Sequence, residues 1–257
     1  MATRAVVAMI NMFRARWYEL TRMITFWGFL VIVCCFALLA ADSTLRNGNV
    51  PMGFDFTGLE WQLLLAPLAA GAALLCHVSL LGYDERVGTA KTCLVGPASR
   101  TQWVLAGLLC FAIVLGCYTA LFHGIVDVVL GLSGYLPSIT PEGLGRFLGF
   151  VGAMTVVTLA YGCLLSLIMV VCRRTAVGVL ALALLLGGAV EKGCAALLEL
   201  FGAGAWAVML EPYTLFGQFS ALGQGAIPEA GALLLAGLVA VAAAAAAVAV
   251  FQRRNLG

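Results

Sequence analysis

Apolar residues run through this chain in long uncharged blocks with short polar intervals between them. Six blocks stand out, at 23–41, 61–83, 101–126, 147–172, 175–190 and 230–252. Each is near the roughly 20 residues a helix needs to cross a hydrocarbon core about 30 Å thick. None shows the alternation of a barrel strand over segments of about 10 residues. Inside a bilayer an unpaired backbone must satisfy its own hydrogen bonds, which leaves the helix. The pattern therefore predicts an all-α integral membrane protein with six transmembrane helices in one domain over 1–257, the span at 175–190 being the shortest. The first block is longer than the roughly 7–15-residue apolar region of a signal peptide and lacks an A-x-A-like cleavage site, so it is expected to stay as the first span. No internal repeat is visible.

Between the blocks the periodicity changes. In residues 4–20, Val6, Ile10, Phe13, Trp17 and Leu20 fall within about 80° of one another on a helical wheel. Arg4, Asn11, Glu19 and Arg22 lie opposite, and Arg14 and Arg16 flank the stripe, where their stems can snorkel. This predicts an amphipathic helix lying on the inner leaflet; a soluble helix packed on a partner is the alternative. Intervals 42–60 and 131–146 read as external loops, and Arg173-Arg174 as a tight inner turn. Segment 191–229 is too charged to cross and too apolar to be free in water. It is expected to form short interfacial or re-entrant helices on the outer side, broken near Pro212 and Pro228, with Trp206 and Tyr213 at headgroup level. The last block is nearly all alanine and valine, a thin helix that lets neighbours approach closely, and Gly145, Gly149 and Ala153 form a similar ridge.

Composition agrees. The chain is 63% hydrophobic and 10% charged, against about 25% charged in soluble domains, which excludes a soluble monomer. Six spans put both termini on one side. Eleven of the fourteen lysines and arginines then fall on that side, and nine of the twelve acids on the other. The positive-inside rule makes the basic side cytoplasmic. Of the nine cysteines, most sit in apolar blocks, where cysteine acts as a small hydrophobe. Only Cys194 falls outside, which leaves no disulfide framework.

Candidate chemistry is sparse. His77, His123 and Asp127 are the polar side chains available to a translocation path. Asp127 is a substrate contact, a partner for Arg146, or a solvated residue at the outer end of the third span. With Cys76, Cys110 and Cys117 the histidines invite a metal reading, but no tight ligand spacing supports it, and hydrogen bonds between helices account for them more simply. Ser79 and Ser166 lack the G-x-S-x-G context of a hydrolase. No G-x-x-x-x-G-K-[ST] loop is present to cradle ATP phosphates. Neither a catalytic residue, a bound cofactor, a metal nor a nucleic-acid partner is expected.

One interval departs from the rest. Residues 84–100, DERVGTAKTCLVGPASR, carry five charges, a Gly-Thr pair and a proline. Asp84 and Glu85 suit the first turn of a short helix, Gly96-Pro97 stops it, and Ser99 or Thr101 can cap the next one. Arg86 and Lys91 would face water. A solvated loop without a partner remains the alternative.

These residues resemble the E-x-x-x-G-T … P-x-S-R pattern of ABC-2 type exporter permeases, where it lies between the second and third of six spans. The end, FQRRNLG, is similar to that family's F-x-R-R-D-[IL]. The amphipathic first helix, the long segment before the last span and the length also correspond. The sequence departs from the pattern at Ala106-Gly107, where a lysine is frequent, and at Asn255, where the family has aspartate.

The resemblance implies that 84–100 is a coupling helix docking on a cytoplasmic ATPase subunit, through Asp84, Glu85, Arg86, Gly88, Thr89, Lys91, Pro97, Ser99 and Arg100. It further implies ATP and Mg on two copies of that partner, a second permease chain, identical or paralogous, and residence in a bacterial plasma membrane. The cargo would be hydrophobic or amphipathic, an antimicrobial peptide or a drug. A secondary transporter or channel without a motor, and a metal-related membrane factor, are the competing classes.

Overall fold

The computed structural model describes residues 2–47, 60–87, 99–134 and 141–253. All regular structure among them is helical. Helix α1 (Ala2–Arg22) meets α2 (Ile24–Asn47) at an elbow on Met23. Trp27 closes the elbow, its indole Nε1 donating to the Thr21 carbonyl at 2.8 Å. One of the carbonyls left orphaned where a helix stops is thereby satisfied.

Three long helices carry the core: α3 (Glu60–Val87), α4 (Arg100–Leu132) and α5 (Pro141–Cys172). Helix α2 packs on α3 and α4, and α1 packs chiefly on α4. The buried Tyr118 of α4 donates its hydroxyl to the Phe26 carbonyl of α2 at 2.8 Å, and the two rings stack at 6.0 Å. At the turn after α5, Arg173 takes a left-handed backbone with φ +57. Helix α6 (Thr175–Leu186) follows.

The apolar block at 175–190 is not one helix. It stops at Leu186, and α7 (Ala189–Leu200) departs at 55°. Gly187-Gly188 explains the break. Gly188 sits at φ +67, where a side chain is strained, with the Phe216 ring packed against it. Beyond come α8 (Gly204–Leu210), a 3₁₀ turn at Glu211–Tyr213 containing Pro212, and α9 (Leu215–Gly223). Residues 226–229, with Pro228, lead into α10 (Ala230–Arg253). Trp206, Val208, Met209 and Tyr213 are all exposed.

Among the described residues four helical stretches are long and apolar enough to cross a membrane: Ile24–Arg46, Arg100–Leu132, Leu144–Cys172 and Ala230–Arg253. The bent pair α6–α7 makes a fifth if counted as one span. The second expected span falls on α3, whose described apolar part is Pro67–Tyr83.

Helices α5 and α10 form the most extensive helix pair. Ala232, Ala236, Ala243, Ala247 and Phe251 of α10 are buried at near-helical spacing, a seam of small side chains that brings two backbones together. On α5, Ala153 is buried, whereas Gly145 and Gly149 are exposed. Of that small-residue ridge only Ala153 is buried within this chain, Gly149 lying beside Ile227, and Phe150 is the first buried residue of α5 among those described.

Candidate functional site

The richest arrangement of polar and aromatic side chains lies where the interval 84–100 re-enters the bundle. Ser99 caps α4. Its side chain accepts from the Gln102 backbone N–H at 3.2 Å, and the Gln102 side chain accepts from the Ser99 N–H at 2.9 Å. This reciprocal capping box fixes the direction in which the chain enters α4. Arg100, the next residue, reaches across to the end of α10. Its Nη1 donates to the carbonyls of Phe251 at 3.0 Å and Gln252 at 2.7 Å. Those carbonyls lie in the last described turn of α10, where a cation favours the helix dipole. Gln252 Nε2 returns a bond to Thr101 Oγ1 at 3.0 Å. Trp103 stacks on Phe251 with centroids 4.8 Å apart.

Helix α1 completes the cluster through Arg16. Its guanidinium lies 4.0 Å over the Trp103 ring and 3.6 Å from Glu19, and the residue is 1% exposed. A Cβ placed on Gly107 would meet its Nη2 at 3.7 Å. Arg16 does not snorkel at the edge of the stripe as the wheel suggested. Helix α1 buries the face carrying Met12, Arg16 and Leu20 and exposes Val6 and Ile10. Burial follows which neighbours arrive, and apolar side chains are common on exposed faces, so the buried face of a helix need not be centred on its apolar stripe. A buried cation needs compensation; the ring face and the carboxylate supply it, a desolvated cation–π contact contributing up to about 2 kcal/mol.

Of the expected coupling residues, Ser99 and Arg100 stand in this cluster. The backbone of Asp84, Glu85 and Arg86 continues helix α3. Gly88, Thr89, Lys91 and Pro97 lie outside the described residues, as do the side chains of Asp84, Glu85 and Arg86. Arg16, Gln102, Trp103, Phe251 and Gln252 were not singled out for the site by sequence reasoning. The S-x-x-Q spacing at 99–102 was a legible signal for the cap. Nothing in the sequence marks Arg16 as buried.

The three candidate path residues are not brought together. His77, on α3, is buried and bonds Ser166 of α5, Nε2 to Oγ, at 2.8 Å. Ser166 Oγ donates to the Gly162 carbonyl at 2.9 Å, so its lone pair accepts from the imidazole N–H. Phe111 of α4 lies on the other side, 4.7 Å from the His77 ring, and presses its own ring against Gly162. This is a hydrogen bond between helices in a fitted pocket. His123 lies between the Phe122 and Phe147 rings at 5.4 and 5.2 Å. Asp127 sits one turn beyond His123, towards the C-terminal end of α4, half-buried. Arg146 pairs with Glu142 at 3.8 Å, one turn away on its own helix. Among the described residues no cluster of three or more His, Cys, Asp or Glu could hold a metal.

No protein-family model matches the chain, and no characterised protein is found similar to it.

Proposed function

We propose that this chain is the membrane subunit of an ATP-driven exporter. In this reading six spans cross the bilayer, with α3 as the second and the bent α6–α7 pair as the fifth. Residues 84–100 dock on a separate ATPase that binds ATP and Mg. The carrying observation is the clamp at the exit of that interval, where Arg100 holds the end of α10. Through Trp103 and Arg16 the same turn grips α1. A push on the 84–100 interval would therefore reach α1, α4 and α10 together, which is what a motor outside the membrane requires of its contact point. A loop serving only as a turn needs no such anchorage. The exporter would use two permease chains, identical or paralogous, and pass an apolar or amphipathic cargo, since the described helices offer few polar groups for a hydrophilic one.

The test is co-purification. Mild solubilisation of the full chain with its neighbouring gene products should recover an ATPase, and Glu85→Ala with Arg86→Ala should release it while the chain still melts normally. Recovery of the chain alone, together with vanadate-insensitive transport, would sink the proposal.

A motor-independent transporter remains the second reading because of one observation. The Tyr161 hydroxyl and the Thr158 hydroxyl on α5, and Gln218 Oε1 on α9, are buried without hydrogen-bond partners among the described residues. An interior with unmet polar atoms suits a path that water enters. Vanadate resistance of transport would favour it.

A further inference from the structure

The elbow between α1 and α2 encloses a cleft of about 480 Å³ against the end of α3. Tyr18, Glu19 and Arg22 come from α1, Thr25 from α2 and Tyr83 from α3, with Met23 and Ile24 completing the lining. We infer that this cleft binds the headgroup of an anionic phospholipid of the inner leaflet. The inference rests on the membrane placement of α1 and α2, but not on coupling to an ATPase.

The charge balance of the cleft decides the ligand. Glu19 already faces the buried Arg16 guanidinium at 3.6 Å, so its carboxylate is spent within the protein. Arg22 is exposed, and its guanidinium lies over the Tyr18 ring at 4.5 Å, which holds it on the cleft wall while leaving its donors open. Among the described residues the net charge offered to a ligand is therefore that one cation. Around it stand hydroxyl-bearing residues, Tyr18, Thr25 and Tyr83. The Thr25 hydroxyl is buried without a hydrogen-bond partner among the described residues. Donors with one net positive charge match a phosphodiester, which accepts guanidinium in a bidentate manner. A zwitterionic headgroup also brings an ammonium, and the one carboxylate among the described lining residues, Glu19, already faces Arg16.

The apolar side fits the rest of such a lipid. Ile24 is 86% exposed beside the cleft, and Trp27 and Val31 continue an exposed apolar face along α2. Acyl chains entering from the headgroup would lie along that face. The elbow itself marks the depth, since an interfacial helix turns into a span at headgroup level. A cation near an anionic leaflet contributes about 1 kcal/mol even without a site; a fitted cleft should add selectivity to that attraction.

The experiment is native mass spectrometry of the full chain in detergent, titrated with dioleoyl phosphatidylglycerol or dioleoyl phosphatidylcholine. The expected result is one phosphatidylglycerol bound about tenfold more tightly than phosphatidylcholine. Arg22→Gln should bring that preference below about twofold, and Tyr83→Phe and Thr25→Val should each weaken it severalfold. Arg14→Gln, which removes an exposed cation on α1 about two turns from Arg22 and outside the cleft lining, should leave it unchanged. Should Arg22→Gln fail to fold, the two hydroxyl variants carry the test. Equal binding of the two lipids, an Arg22→Gln chain with undiminished preference, or equal losses in Arg22→Gln and Arg14→Gln would overturn the site. Displacement of the lipid by millimolar inorganic phosphate would overturn its assignment to a lipid. Loss of lipid selectivity with the ATPase still bound, or the reverse, separates this inference from the exporter reading.

Discussion

Arg100 Nη1 lies 2.7 Å from the carbonyl oxygen of Gln252, 152 residues further along the chain. The start of α4 and the end of α10 are thus one joint, held by a charged donor on two backbone carbonyls. Hydrogen bonds to charged groups are worth about 1.5–3 kcal/mol. Arg100→Met should lower stability by about that amount in a thermal melt of the solubilised chain. Arg100→Lys should recover only part, because an ammonium can also donate to both carbonyls but lacks the pre-organised planar geometry that holds Nη1 between them. Wild-type melting of both variants would show the joint to be idle.

Arg16 is the next member of the joint, and its burial makes a sharper prediction. Truncating one partner of a buried ion pair costs about 3–5 kcal/mol, whereas replacing both by apolar groups can be near neutral. Arg16→Met should therefore destabilise by about that range, since Glu19 is left without its cation and Trp103 without the guanidinium over its ring. The double variant Arg16→Met with Glu19→Leu should recover much of the loss. A double-mutant cycle measured by thermal or chemical unfolding reads the difference directly. Additive losses would mean that Glu19 does not compensate Arg16.

How much of this was legible beforehand differs between elements. The four helical stretches that meet a span's length and hydropathy lie over blocks whose apolar length alone marked them. Pro212 and Pro228 marked real interruptions, since proline removes a donor and resists continuation of a helix. The stop at Gly187-Gly188 was hidden because apolar residues flank it on both sides and hydropathy does not sense backbone freedom. Arg16 was misplaced for another reason. A wheel ranks side chains by polarity, while burial depends on which neighbour arrives, and Trp103 lies 87 positions later in the sequence. The contact of Arg100 with α10 is likewise a relationship between distant ends, invisible to any local pattern. His77 was legible as a histidine bonded between helices, but its partner was not.

A close approach near that histidine gives the third prediction. Gly162 lies so near the Phe111 ring that an added Cβ would overlap it. Overpacking a fitted core costs about 1–3 kcal/mol. Gly162→Ala should lie in that range by thermal unfolding, and Phe111→Leu in the same chain should relieve part of it. A neutral Gly162→Ala would mean that α4 and α5 separate more readily than their packing implies.

The turn between α5 and α6 supplies the fourth. Arg173 holds φ +57, a conformation that costs an L-residue of this size about 1–2 kcal/mol. Glycine adopts it freely but adds entropy to the unfolded chain. Arg173→Gly should therefore leave the melting temperature unchanged or slightly raised, and Arg173→Val should lower it, because a β-branched side chain is a genuine outlier there. Equal behaviour of the two variants would mean that the turn opens without consequence for the helices it joins.

The last prediction separates a structural from a path-lining role for His77. Its Nε2 meets Ser166 Oγ at 2.8 Å within a pocket closed by Phe111. Removing one partner leaves a buried polar atom unmet, at about 1–3 kcal/mol, while removing both can be nearly neutral. Ser166→Ala should therefore destabilise more than the double variant Ser166→Ala with His77→Phe. If the pair only joins α3 to α5, transport by the double variant should return with stability, since nothing that moves through the protein touches it. A double variant that folds as well as wild type yet transports nothing would instead place His77 on the route of the cargo or of a proton, and would move the weight of evidence towards the motor-independent reading.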